Sequence, residues 1–128
     1  MSSKTRKIHL KWSAFIGYEK WNSEKVPNSK GVYEWFVRLE KDGRTIIYVG
    51  EADDLRKRSQ EHLAESEKNK CLKENLKKYA WDFRYVLVLL KADRQDAELA
   101  LYNKHKPKCN TVQPSGSDRK LQIEIEEE

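Results

Sequence analysis

Little in this chain of 128 residues either breaks a backbone or staples one. It has three Pro, five Gly and two Cys. So little Pro and Gly excludes a low-complexity or Pro/Gly-rich disordered chain. Cys71 and Cys109 lack CxxC spacing. His105, four residues before Cys109, adds one more ligand type but no second pair, so no tetrahedral zinc site is expected. The two cysteines are expected to be free thiols in a reducing compartment. No apolar stretch approaches the roughly 20 residues that a membrane-spanning helix needs. The basic start, Met1 to Lys7, is not followed by an apolar run, so no signal peptide is expected. A cytoplasmic protein that makes no membrane contact is the expectation, and no internal repeat is evident.

The length suits a single domain, expected over 1–128, with a core at 27–110 and extensions at 1–26 and 111–128. Net charge is +5, and its layout says more than its size. Residues 118–128 hold two basic and five acidic side chains, which leaves 24 basic against 16 acidic on the body. A basic body suits a polyanion, because Lys and Arg that neutralise phosphates release counterions. A merely soluble, charged surface accounts for the balance equally well.

The patterning alternates strands and helices. Residues 8–22 carry Ile8, Leu10, Trp12, Phe15, Ile16, Tyr18 and Trp21 without a clean period, which fits a strand or a short helix over one side of the core. Pro27 to Gly31 is a loop. Residues 32–39 read as a strand, Asp42-Gly43 as a hairpin turn, and 45–50 as the return strand. Asp53 or Asp54 caps a helix running to about Ser66, and a second helix spans about Lys70 to Tyr79. Phe83 to Leu90 reads as a buried central strand. Asp93 starts a third helix, with Asp96 placed for a capping box, and Pro107 stops it after His105. The alternating segment at Leu121 can add an edge strand. The order β-β-α-α-β-α implies an α+β domain: a small antiparallel sheet of three core strands, with extra edge strands, flanked by helices.

A two-residue turn at Asp42-Gly43 places Val37 opposite Tyr48. Tyr33, Trp35 and Val37 then share a face with Ile46 and Tyr48. Tyr33 and Tyr48 would sit roughly 13 Å apart along the strands, and a bulge would bring them together. Both also fit as ordinary half-buried sheet tyrosines. On the first helix Arg58 and His62 are four apart and so are neighbours, next to the stripe that holds Leu55. A guanidinium forks onto phosphate and an imidazole moves protons near neutral pH. A solvated basic face carrying Arg56, Lys57 and Arg58 explains the same pattern. Glu98 lies among Ala97, Leu99, Ala100, Leu101 and Tyr102. Facing inward it would need a partner such as Mg²⁺; facing outward it needs none. Asn110, after Pro107, is a turn residue or a brace for a catalytic side chain.

Taken in order, these residues resemble the GIY-YIG nuclease superfamily. Gly31-Val32-Tyr33 is similar to its first signature, and Tyr48-Val49-Gly50 to its second. Arg58 falls ten residues after Tyr48, His62 four later, and Asn110 twelve after Glu98. These spacings resemble those of the superfamily's bacterial DNA-repair branch. Two departures stand out: Tyr33 and Tyr48 are 15 apart, a wider gap than usual, and Glu51 occupies a position where the repair branch has Lys. The resemblance implies a DNA endonuclease with Tyr33, Tyr48, Arg58, His62, Glu98 and Asn110 in its site. It implies one Mg²⁺ or Mn²⁺ on Glu98, and nucleic-acid contacts from Arg56, Lys57 and Arg58. It makes Tyr33 the first choice of base, Tyr48 the residue that orients the water, and His62 the rival base or the acceptor of the tyrosine's proton. The substrate is expected to be DNA, branched or single-stranded forms included, with a partner protein as one source of specificity. The alternative is a silent nucleic-acid-binding module that keeps the fold; an adaptor domain is a third.

Overall fold

The computed structural model describes residues 4–41 and 43–128. Asp42, half of the expected hairpin turn, lies outside the described residues. The elements run β1 (Thr5–Leu10), β2 (Ile16–Gly17), β3 (Gly31–Glu40), β4 (Gly43–Ala52), α1 (Leu55–Leu63), α2 (Lys70–Lys78), β5 (Trp81–Leu87), α3 (Lys91–His105) and β6 (Gln122–Glu127).

Four strands form one antiparallel sheet in the order β2-β5-β3-β4. β3 lies inside it and is buried over its first seven residues, so both of its faces are covered. One face carries Tyr33, Trp35, Val37, Ile47 and Phe83, packed with Leu55 of α1 and Leu72 and Leu76 of α2. The other carries Val32, Val49 and Val86, packed with Ala97 and Leu101 of α3. β1 and β6 pair in parallel as a separate two-stranded sheet, and Ile8, Leu10, Ile123 and Ile125 extend this second core. The alternation at Leu121 therefore does make a strand, but its partner is the N-terminal segment rather than the main sheet.

The hairpin register differs from the expected one. Val37 faces Thr45 and Trp35 faces Tyr48, with irregularities after Trp35 and after Val37. The extra residue on β4 rephases the strand. Ile46 falls with the α3 side, and Ile47 takes the place expected for it.

Helix boundaries follow local chemistry. Asp54 caps α1 by accepting from the Lys57 amide at 3.1 Å, and the helix ends at Leu63, short of Ser66. Asn69 caps α2 by accepting from the Leu72 amide. α3 begins at Lys91 without a side-chain cap. Asp93 and Asp96 do not cap it: Asp93 pairs with Arg6 and Arg119, and Asp96 accepts from Ser117 and Arg119. These bonds tie both chain extensions to α3. Lys106 ends the helix in the left-handed conformation, and Pro107 follows. β5 stops at Leu87, and Leu89 and Leu90 are exposed rather than part of a buried strand.

The cysteines are not free thiols. Cys71 of α2 and Cys109 form a disulfide with Cα atoms 5.2 Å apart. Spacing misleads here because the bridge joins elements that only tertiary packing brings together.

Candidate active site

The β4 bulge puts Tyr33 opposite Gly50 and Trp35 opposite Tyr48, so the two phenols are diagonal neighbours on one face. Their rings stack with centroids 6.2 Å apart. Gly50 makes room for this. A Cβ there would lie 2.3 Å from the Tyr33 ring and hydroxyl, inside any allowed contact. Gly31 is equally constrained, since a Cβ would meet the Val86 carbonyl at 2.2 Å.

α1 turns Leu55, Ser59 and His62 inward. His62 Nε2 lies 2.7 Å from the Tyr33 hydroxyl, and its Nδ1 lies 3.0 Å from Glu67 Oε2. The other Glu67 oxygen accepts from the Asn69 amide. A carboxylate only accepts, so the proton sits on Nδ1. Nε2 therefore accepts from the Tyr33 hydroxyl. Burial, and then Arg58, hold His62 neutral well below its usual range, against the pull of Glu67. Burial also raises the Tyr33 phenol well above its ordinary value, helped by Tyr48 and only partly offset by Arg58. The Arg58 charge pulls both phenols down, yet neither falls below its ordinary value because desolvation outweighs that pull.

Glu98 does not point into open solvent. It lines a cleft of about 410 Å³ together with Tyr48, Glu51, Gln95 and Asn110. Burial, and then the charge of Glu51, raise its carboxyl to about 7, against a smaller pull downward from the Glu51 backbone. Among the described residues no cation lies within ion-pair distance of Glu98. A half-buried acid with a second acid beside it and no positive partner fits a divalent cation. Tyr33 is 2% exposed and sits behind Tyr48, outside the cleft wall.

Asn110 braces β4. Its Oδ1 accepts from the Val49 amide at 2.9 Å and its Nδ2 donates to the Val49 carbonyl at 2.8 Å. The Cys109 amide adds a bond to the Ile47 carbonyl. This stretch therefore pairs with the β4 edge on both sides of Tyr48. Arg56, expected on the nucleic-acid face, instead spends its Nε on the Val26 carbonyl at 2.7 Å. Lys57 is exposed and Arg58 partly so.

Two residues of the site escaped the sequence. Glu67 lies past the end of α1, where no periodicity singles it out. Arg94 is 1% exposed and reaches Glu51 at 3.1 Å and Asp53 at 2.7 Å, so the acid at position 51 carries its own counter-charge. The spacing of four between Arg94 and Glu98 was the available signal, since it puts both on one side of α3.

Comparisons with known proteins bear on the fold and the family. The model of the GIY-YIG catalytic domain family matches residues 29–112. The chain is 30% identical over 94 residues to UvrABC system protein C of Hydrogenobaculum sp.. It is 33% identical over 90 residues to the protein of that name from Fervidobacterium nodosum. The matches take in 73% and 70% of this chain but 16% and 14% of those proteins, so the chain spans only about a sixth of their length. The fold is similar to the GIY-YIG N-terminal endonuclease domain of UvrC from Thermotoga maritima bound to its catalytic magnesium. That likeness has a TM-score of 0.53 and 22% identity over 67% of this chain and 88% of that one. A point mutant of the same domain, also with its catalytic divalent cation, gives 0.54 at 21% identity, covering 68% and 88%. On its family match and its fold together, the chain belongs to the GIY-YIG catalytic domain family.

Proposed function

We propose that this chain is a metal-dependent endonuclease that hydrolyses phosphodiester bonds in DNA. One observation carries this most directly. A cleft lined by an unpaired acid, Glu98, and a phenol, Tyr48, is backed by a hydrogen-bonded chain from Tyr33 through His62 to Glu67. Glu98 would hold Mg²⁺ or Mn²⁺, and such an ion, when bound, supplies Lewis acidity at a phosphate oxygen and the leaving 3′-oxygen.

The protein's own groups manage the proton. Water attacks phosphorus in line as the bond to the 3′-oxygen breaks, and the departing 3′-oxygen takes a proton from solvent. With Tyr48 turned aside to admit the water, the water's proton passes to the Tyr33 oxygen while the Tyr33 proton passes to His62 Nε2. Glu67 stabilises the imidazolium that forms. Because burial disfavours a standing phenolate, the two transfers are concerted. Tyr48 orients the water, Arg58 stabilises charge on the phosphoryl oxygens, and Asn110 keeps Tyr48 in place. Lys57 and Arg58 contribute to backbone binding. Selectivity then comes from DNA shape or a partner protein. No helix is long and apolar enough to cross a membrane; action on DNA in the cytoplasm is the proposed setting, where the Cys71–Cys109 bridge would have to persist against reduction.

A second assignment of the base has its own support: Tyr48 lines the cleft, whereas Tyr33 is covered. Comparing Tyr33→Phe with Tyr48→Phe under single-turnover conditions separates the two. The overall proposal is tested with supercoiled plasmid in Mg²⁺ or Mn²⁺, with an EDTA control. Nicking that EDTA abolishes is expected. Plasmid left intact but bound in a salt-sensitive way would instead identify a silent nucleic-acid-binding module.

A further inference from the structure

The face of the sheet opposite Tyr33 holds a second polar cluster. Side chains alternate along β3, so Glu34 points away from the phenols and toward α3. It is 0% exposed. Its Oε1 accepts from Arg84 Nε at 2.7 Å, while its Oε2 is buried without a hydrogen-bond partner. His105, the last residue of α3, has its Nε2 buried and likewise unpartnered. Glu127 of β6 completes the group. One carboxylate oxygen each from Glu34 and Glu127 and a ring nitrogen of His105 lie within 4.8 Å of one another.

A buried polar atom left unpaired is costly, and this cluster has two side by side. As placed, neither atom bonds to the other, and the space between them is closed by no protein donor or acceptor. We propose that Glu34, His105 and Glu127 form a divalent-metal site distinct from Glu98, and that it takes Zn²⁺. One imidazole with two carboxylates is a donor set that zinc accepts, with water as the fourth ligand. Mg²⁺, which prefers an all-oxygen shell, fits it poorly. Ligand atoms of a tetrahedral zinc stand about 3.4 Å apart, so the three side chains close in by about 1 Å or less.

The surrounding charges allow this. Arg84 stays on the far oxygen of Glu34, stacked over Trp12 at 4.3 Å, and its guanidinium also stands 3.8 Å from Glu127 Oε1, so it is an outer partner of both carboxylates. Glu127 also accepts from Trp12 Nε1 and from Lys104. Lys104 is 54% exposed and is free to swing into solvent when an ion takes its place. The ion would clamp β6 and the end of α3 onto β3, directly behind the strand that presents Tyr33.

The test uses the full chain carrying His9→Ala and Glu98→Ala. These remove the exposed His9–Glu126–Glu128 group and the acid in the cleft as other metal binders. Zinc titration by calorimetry is expected to show a single equivalent, with a rise in Tm that EDTA reverses. Adding His105→Ala, or separately Glu34→Gln, is expected to abolish both. In the unmutated chain, zinc is expected to shift the His105 Nε2 resonance, a readout that does not depend on how any variant folds. No binding in the background chain, binding unchanged by His105→Ala, or an unmoved His105 resonance would each overturn the proposal. A buried water between the two orphan atoms would produce the first of these results.

Discussion

Tyr33 meets two demands at once: it fills the core and it holds a functional hydroxyl. Its ring packs on Phe83 and Tyr48, while its hydroxyl is bonded to His62. Tyr33→Phe keeps the ring and orphans His62 Nε2, which is expected to cost about 1–2 kcal/mol of stability. Cleavage is expected to fall far more, by about 10²–10⁴. His62→Ala should fall in the same range, and Glu67→Gln should lose less than either, because it misorients the imidazole without removing it. Single-turnover rates beside urea unfolding of each variant check this ordering. A Glu67→Gln chain as inactive as His62→Ala would give Glu67 a larger part than holding the ring. Gly50→Ala forces a methyl group into the Tyr33 ring. A loss of about 1–3 kcal/mol is expected, together with lost cleavage, because the displaced phenol leaves His62. Thermal unfolding of that variant measures the first part.

Elements are held to one another by buried acids as much as by apolar faces. Asp82 of β5 is 1% exposed and bonds Arg38 of β3 at 2.6 Å and Arg44 of β4 at 2.9 Å. The Arg38 bonds, outweighing desolvation, hold its carboxyl below the usual range. A depressed carboxylate stabilises the fold above the unfolded-state value of about 3.9, and loses that effect as pH falls through its lower folded value. Asp82→Asn is therefore expected to destabilise the chain at pH 7 by about 1–3 kcal/mol, discounted because both arginines are partly exposed. It should also flatten the acid end of the stability curve below about pH 4. Urea unfolding across pH 2–7 tests both; equal acid sensitivity of the two chains would contradict it. The helices and inner strands were legible in the sequence because caps and apolar periods are local signals. The hairpin register was not. It depends on a bulge that tertiary packing selects, and without it Tyr33 and Tyr48 stand too far apart to share a site. The pairing of β1 with β6 was hidden for the same reason, since its partners lie at opposite ends of the chain.

For the molecule as a whole, the disulfide and the site are neighbours. Cys109 precedes Asn110, and the bridge anchors that stretch to α2 across a sequence separation of 38. Closing a loop of that size stabilises by about 4 kcal/mol on chain-entropy grounds. Reduction by a dithiol is expected to lower Tm and to weaken cleavage in the same chain by loosening the brace on Tyr48. An unchanged melting curve after complete reduction would contradict this. The six positions expected in the site fall around one region, with Tyr48, Glu98 and Asn110 on the cleft and Tyr33, Arg58 and His62 packed against Tyr48. What carried them through was their order and spacing. Glu67, Arg94 and the disulfide were not legible, because each acts through a partner distant in sequence or beyond a helix end. Whether Glu98 sustains metal-dependent hydrolysis in this cleft is read from the rate of Mg²⁺-dependent plasmid nicking in Glu98→Ala beside the unmutated chain. A nicking rate at background is expected in the variant, with an unchanged circular dichroism spectrum and retained DNA binding. Nicking by Glu98→Ala at the rate of the unmutated chain would contradict it.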